Sequence, residues 1–276
     1  MCRVCKIRLY IGKCGLFLVF GLKWFGMLDP YLRLYALKAR VLLHDPPNKM
    51  WVLERHEEVA RKFVELVLSG TNLFIDVDEN AVRRADVAAS TFDRWFINYL
   101  YAEKSDGGSS KPLVVEYRWI HNIFRPDKRV ELSDPGDRVY NVLRGVGDVL
   151  REIAEAAKNV GDRALGHLLY TTLYFLLEVS WLSNDLSPSL ADTRNPTHTV
   201  FDHLYAATTI SNLYLYEEPS GFVARIDIPM IQKFVSSARR TADFWAGSWV
   251  ISKLSWGIIK RFVDEYGPDI VLSPSL

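Results

Sequence analysis

The stretch VLLHDPPNK, residues 41–49, closes an apolar run with adjacent His44 and Asp45 and then meets two prolines. Proline removes a backbone donor and fixes φ, so Pro46 and Pro47 end any helix that reaches them. The imidazole and carboxylate then project from a fixed stub into a cavity rather than along a continuing helical face. Together they offer one nitrogen and one hard oxygen donor from a single helix end, which suits a divalent metal. A hydrolytic site needs further ligands from other helices and an open position for water, whose pKa the metal lowers.

The flanking sequence is helical. Tyr31, Leu34, Leu37, Val41 and Leu42 fall near one face of a helix over 31–43, and Asp29-Pro30 supplies its N-cap and first-turn proline. A second helix runs through ERHEEVARKFVELVLSG and closes at Gly70, with His56, Ala60, Phe63 and Val67 on its apolar stripe. A third covers Asn80 to Tyr101, where Ala85, Ala88, Ala89 and Ser90 allow close packing around Asp86. EKSDGGSSKP, 103–112, is a polar loop, and VVEYRWIHNIF, 114–124, is a strand or hairpin arm. Helices resume at 138–159 and 161–182. GVGD at 145–148 lies inside that helical pattern and lacks the flanking glycines and lysine of a phosphate loop. Asn195-Pro196 opens a further helix with His203 on the stripe of Val200, Ala207 and Ile210, and with His198 and Asp202 paired at i, i+4.

The inward-facing His56, Asp86 and His203 are therefore candidates to join His44 and Asp45 around one cation. Each also has a simpler reading: a lone histidine on an apolar stripe is commonly a core residue, Asp86 could pair with Arg83 or Arg84, and His198 with Asp202 could be an exposed capping pair. His121 and His167 read as structural. What favours the metal is their number, since burying several such groups without a partner is costly.

The 276 residues can bury a sizeable core, and 49% hydrophobic with 24% charged residues is a folded composition. Lys+Arg 34 against Asp+Glu 33 leaves +1, so no global field draws the chain to nucleic acid or to a membrane. Glutamine occurs once, at Gln232, which fits a heat-adapted source. Cys2, Cys5 and Cys14 include a C-x-x-C without a second zinc-binding pair, and the cysteine-free remainder suits a reducing cytoplasm. Residues 1–26 imitate a signal sequence but carry Lys13 and Lys23 around a short apolar run. They are expected to be a leader outside the fold, with Met27 as the start. After EEPSG at 217–221, FVARIDIP reads as a strand, residues 231–267 as a long or broken helix pair, and DIVLSPSL as a second strand. This β-α-β beginning is too small to finish a sheet, so the chain looks cut short.

LLHDPPNK, HEEVARKF and RADVAAS, in that order, resemble the N-terminal HD domain of the large, polymerase-like subunit of type III-B (Cmr) CRISPR effectors. ADTRNPTHTVFDHLYAATTI is similar to a later segment of that family, and SSARRTADFWAGSWVISKLS with YGPDIVLSPSL to the opening of its first palm domain. The matches run from about residue 36 to the C-terminus and leave roughly 100–185 without a motif.

The resemblance implies a mainly α fold: a circularly permuted HD bundle over 27–218, then an incomplete ferredoxin-like palm over 219–276. The permutation would bring His203 to His44 and Asp45, the pair at the chemistry, with His56 and Asp86 completing or flanking the metal site. It implies cleavage of single-stranded DNA with a divalent metal (Mn2+, Ni2+, Mg2+ or Zn2+), switched on when the complex, with its other Cmr subunits, pairs guide RNA with target RNA. HDPPNK departs from the commoner H-D-x-G-K, and Lys49 would partly replace the missing lysine, with His198 and Asp202 as further supporting residues. The family makes cyclic oligoadenylates from ATP with a Gly-Gly-Asp-Asp turn that this sequence lacks. ATP would thus matter only in a longer protein, where Arg240 or Ser248 would line its pocket. Two other readings stand beside the nuclease: a non-catalytic scaffold domain, and a free-standing HD phosphohydrolase of small nucleotides.

Overall fold

The computed structural model describes residues 29–91, 119–122, 124–192, 198–214, 220–221, 226 and 228–271. In chain order the elements are α1 (Pro30–Leu42), α2 (His56–Leu68), α3 (Glu79–Ala89), β1 (Trp119–Asn122), β2 (Arg125–Glu131), α4 (Arg138–Ala156), α5 (Asp162–Ser183), α6 (Val200–Ser211), α7 (Ile231–Ser236) and α8 (Thr241–Tyr266). The chain is mainly helical, as expected. The expected leader, the polar loop at 103–112 and the C-x-x-C all lie outside the described residues.

Helix α1 organises the bundle. Asp29 caps it by accepting the Tyr31 N–H at 2.7 Å, Pro30 occupies its first turn, and nine of its residues are buried. A helix apolar around most of its circumference belongs in the middle of a core. Its sides are taken by α5, α6 and α3, while α4 packs on α5 and α2 packs on α4. Small residues set two of these crossings. A Cβ on Gly147 of α4 would sit 2.3 Å from the Leu66 carbonyl of α2, and one on Gly166 of α5 would sit 2.9 Å from Leu32 of α1. Arg151 of α4 donates to the carbonyls of Leu66 and Ser69 at 3.2 and 3.1 Å, satisfying the end of α2 where Gly70 turns at φ +80°.

The expected helices at 138–159 and 161–182 form as α4 and α5, and GVGD lies inside α4. The expected helix pair near the C-terminus is broken into α7 and α8. The strand expected at 114–124 is described as β1, paired antiparallel with β2 in the register Trp119↔Glu131 and His121↔Arg129.

Three expectations are corrected. The helix carrying His203 starts at Val200, where Thr199 and Asp202 form a capping box; Asn195-Pro196, the expected start, lies outside the described residues. The helix expected over 80–101 is interrupted: α3 ends at Ala89, where the Ser90 hydroxyl donates to the Asp86 carbonyl at 3.0 Å, and Thr91 is helical again; residues 92–101 lie outside the described residues. Asp269 and Ile270 form a 3-10 turn with Pro268 rather than opening a strand, after Gly267 ends α8 at φ +101°. The rest of DIVLSPSL, and most of FVARIDIP, lie outside the described residues.

That turn is held by a buried ionic network. Lys38 of α1 and Asp269 are both fully buried and pair at 3.0 Å; Lys38 also donates to the Tyr266 carbonyl. Tyr170 of α5 donates to the same carboxylate at 2.6 Å and Asn212, just after α6, at 2.8 Å, while the Thr209 hydroxyl reaches the Asp269 carbonyl at 2.7 Å. Burial pulls the Lys38 ammonium below its usual value, with Asp269 opposing that shift. Lys38→Met should therefore cost about 3 kcal/mol by leaving a buried carboxylate without its cation. The double variant with Asp269→Asn should cost less than the two single losses added together, measured by chemical denaturation.

Candidate metal centre

The helix ending that the prolines enforce comes at Leu42, and the His44 N–H still reaches back to the Val41 carbonyl at 3.3 Å. The His44 ring makes the same return. Its Nδ1 lies 2.6 Å from the Val41 carbonyl, which can only accept, so Nδ1 carries the proton and Nε2 turns inward with its lone pair. This Nε2 is buried and has no hydrogen-bond partner. Two segments fix the loop beyond. The Ser189 N–H donates to the Pro47 carbonyl at 2.9 Å, and the Met50 N–H donates to the Ser189 hydroxyl at 2.8 Å. The Ser189 carbonyl in turn accepts the Val200 N–H at 2.9 Å, tying this loop to the start of α6.

Four side chains from three separate parts of the chain meet here. His44, Asp45, Asp86 and His203 each place one donor atom within 4.8 Å of the others. Asp86 Oδ1 lies 3.1 Å from His203 Nε2 and 3.5 Å from His44 Nε2, and Asp45 Oδ2 lies 3.8 Å from His203 Nε2 and 3.7 Å from His44 Nε2. The histidine rings are 5.4 Å apart between centroids. Bonds of about 2 Å from one ion place neighbouring donors about 3 Å apart, so small adjustments would let all four reach a common centre. Two imidazoles and two carboxylates, with one buried imidazole nitrogen unused, fit a divalent cation.

The other candidates fall elsewhere. His56 does not join the four: it begins α2 and its Nδ1 donates to the Leu53 carbonyl at 2.7 Å. Asp202 serves as the capping partner of Thr199, accepting from its N–H at 2.9 Å and its hydroxyl at 2.8 Å, rather than serving the cluster. His198 lies in the bend before that cap. Lys49 does reach the site, with Nζ 2.5 Å from Asp45 Oδ2. Arg240 is the exposed N-cap of α8, and Ser248 is half-buried along the same helix. His121 lies in the hairpin near the Pro126 carbonyl and His167 donates to the Val263 carbonyl at 2.8 Å. A cavity of about 600 Å³ lined by Asp29, Arg163, His167 and Asp264 opens at the N-terminal end of α1, opposite the cluster.

Burial and charge pull against each other in the cluster. Burial opposes the charge on Asp86, yet His203 and His44 hold its carboxyl well below the usual carboxylate range. Asp45 is lowered in the same way, against its burial, by His44, Lys49 and His203. Burial opposes protonation of His44, but the carboxylates of Asp45 and Asp86 leave its value raised. The signs then follow. A lowered carboxyl stabilises the fold above the unfolded value of about 4, and the effect fades as pH falls. A raised imidazole stabilises it below about 6.5, and the effect fades as pH rises through the folded value. In chelator-treated protein, Asp86→Asn should cost about 2 kcal/mol, most near pH 5 to 6 and less at pH 3 or pH 9, measured by urea denaturation.

Known proteins share this sequence and fold. Residues 223–276 match the family described as CRISPR-associated protein Cmr2, N-terminal. The CRISPR system CMR subunit Cmr2 of Saccharolobus solfataricus is 31% identical over 258 residues, covering 87% of this chain and 23% of that protein. The Cmr2 subunit of Pyrococcus furiosus is 28% identical over 279 residues, covering 87% of this chain and 31% of its own length. A chain of the cryo-EM structure titled Type III-B Cmr-beta, apo state, superposes with a TM-score of 0.61 at 29% identity, over 87% of this chain and 23% of that one. The chain thus spans between about a quarter and a third of the curated relatives that it matches. Over most of its length it is related to the N-terminal part of Cmr2, the large subunit of type III-B CRISPR effectors.

Proposed function

We propose that this chain acts as the N-terminal portion of a type III-B effector large subunit and that its cluster is a metal-dependent nuclease site acting on single-stranded DNA. The observation that carries this reading is the convergence of His44, Asp45, Asp86 and His203 with donor atoms within 4.8 Å, one of them a buried nitrogen without a hydrogen bond. A bound divalent cation would supply ionised water near neutral pH and neutralise charge on the phosphate. The chain's residues would do the rest. The Val41 carbonyl keeps the His44 proton on Nδ1, and Ser189 holds the loop that carries Asp45. Asp86 orients His203 through its 3.1 Å contact. Lys49, at the rim, is within reach of a phosphate entering from solvent.

The same reading divides the chain into a permuted HD domain over 27–218 and the start of a ferredoxin-like palm over 219–276, with 1–26 as a leader. It assigns other Cmr subunits, guide RNA and target RNA as partners, in the cytoplasm. Arg240 and Ser248 would face ATP only within a longer protein. In support of the permutation, α6 brings His203 against α1 and α3, which end beside Asp45 and carry Asp86.

The scaffold reading also has an observation behind it. Asp86 already pairs with His203 at 3.1 Å and lies 3.5 Å from His44, so the cluster can hold its three segments together by itself. Metal separates the two. As a nuclease site, the purified chain should melt several degrees higher with Mn2+ and nick single-stranded DNA, and the double variant His44→Ala, Asp45→Ala should lose both, activity by about a hundredfold or more. Equal cutting by the double variant, or no melting shift with any of Mn2+, Ni2+, Mg2+ and Zn2+, would leave the scaffold.

A further inference from the structure

The position of Lys49 carries a consequence for metal binding, and it rests on the cluster being a metal site. Lys49 follows Asp45 by four residues, with Pro46 and Pro47 between them. Two fixed φ angles limit the path of this link. Its end is pinned as well: the Lys49 N–H donates to the Pro46 carbonyl at 2.8 Å, and Ser189 holds the backbone of Pro47 and Met50. The root of the Lys49 side chain is thus set, while the side chain itself is 21% exposed and reaches the cluster from the rim.

From there Nζ donates to Asp45 Oδ2 at 2.5 Å. This is the carboxylate oxygen that faces His44 Nε2 at 3.7 Å and His203 Nε2 at 3.8 Å, the one aimed at the other donors. A cation bonded to Oδ2 at about 2 Å would lie about 4 Å from the ammonium if Lys49 stayed in place. Two positive charges that close, at a site that is 95% covered on the carboxylate side, repel strongly.

We propose that Lys49 is a built-in competitor for the divalent cation, holding Asp45 in the metal-free protein and setting how tightly metal binds. Loading the site moves the ammonium off Oδ2, and the exposed rim gives it room to swing into solvent. Losing the ammonium removes both effects at once. The metal-free protein becomes less stable because Asp45 is left buried without its cation, and the metal binds more tightly because nothing opposes it. A residue that only supported the fold would weaken both.

The test is calorimetric titration of the full chain with Mn2+, together with melting of the metal-free protein. Lys49→Met should melt lower without metal and bind Mn2+ about tenfold more tightly, and Lys49→Arg should bind within about threefold of the parent. If Lys49→Met does not fold, Lys49→Gln keeps a donor without the charge and should show the same tightening. Unchanged or weaker Mn2+ binding in the neutral variants, with binding intact in the parent, overturns the competitor. Absence of Mn2+ binding in the parent, the Lys49 variants and a His203→Ala control alike overturns the metal centre, and the competitor with it.

Discussion

The Lys38–Asp269 pair is the constraint on which the site depends. Both groups are fully buried, so each must find its partners inside the protein, and they do so across four segments at once. Lys38 fixes α1, Tyr170 fixes α5, Asn212 and Thr209 fix the end of α6, and Asp269 brings the turn after α8 to all three. His44 follows Lys38 by six residues, and His203 precedes Thr209 by six. At 1.5 Å per residue the step within α6 covers about 9 Å, and the step from Lys38 runs to the end of α1 and just past it, in the opposite chain direction. Helices α1 and α6 therefore run antiparallel, locked at one level by the ionic network and presenting their histidines at the next. The donors of α1 and α6 meet beside a lock one level away that restrains the two helices from sliding, and α3, packed on both, adds Asp86.

Much of this arrangement was legible in the sequence where the signal is local. Asp29-Pro30 caps α1, Pro46-Pro47 keeps it from continuing, and Gly70 turns the chain after α2, each through backbone chemistry that a neighbour or two determines. Helices were also expected at 138–159 and 161–182, where α4 and α5 form. The second hairpin arm was not, because RPDKRVE combines a proline with five charged residues and forms a strand only by pairing with β1. The helix start at Thr199 was missed for a related reason. Asn195-Pro196 reads as a cap, whereas Thr199 and Asp202, three residues apart, form the reciprocal box that starts α6.

The site shows the limit of periodicity. His56 and His203 occupy equivalent places on apolar stripes, yet only His203 enters the cluster. What separates them is where their helices lie: α2 packs on α4 and His56 turns Nδ1 back to Leu53, while α6 packs on α1 and α3 and His203 points Nε2 at Asp86. Lys38 left a better trace. It lies among Tyr35, Ala36, Leu37, Ala39 and Val41, and a lysine in so apolar a stretch demands a buried anion. Its partner lies 231 residues later in a Gly-Pro-Asp turn, and no local pattern connects them.

Charge explains why the cluster tolerates burial without collapsing into a simple salt bridge. Asp45 and Asp86 bring two negative charges into a half-buried space, against which Lys49 contributes one positive charge at Asp45 and His203 a hydrogen bond at Asp86. A divalent cation would bring its charge to the centre and would leave His44 free to use the lone pair that Val41 has already turned inward. The groups that hold the carboxylates in its place, a flexible ammonium on the rim and an imidazole hydrogen bond, are both removable. An apolar or permanently paired substitute would close the site, whereas these partners keep it folded and still able to accept an ion.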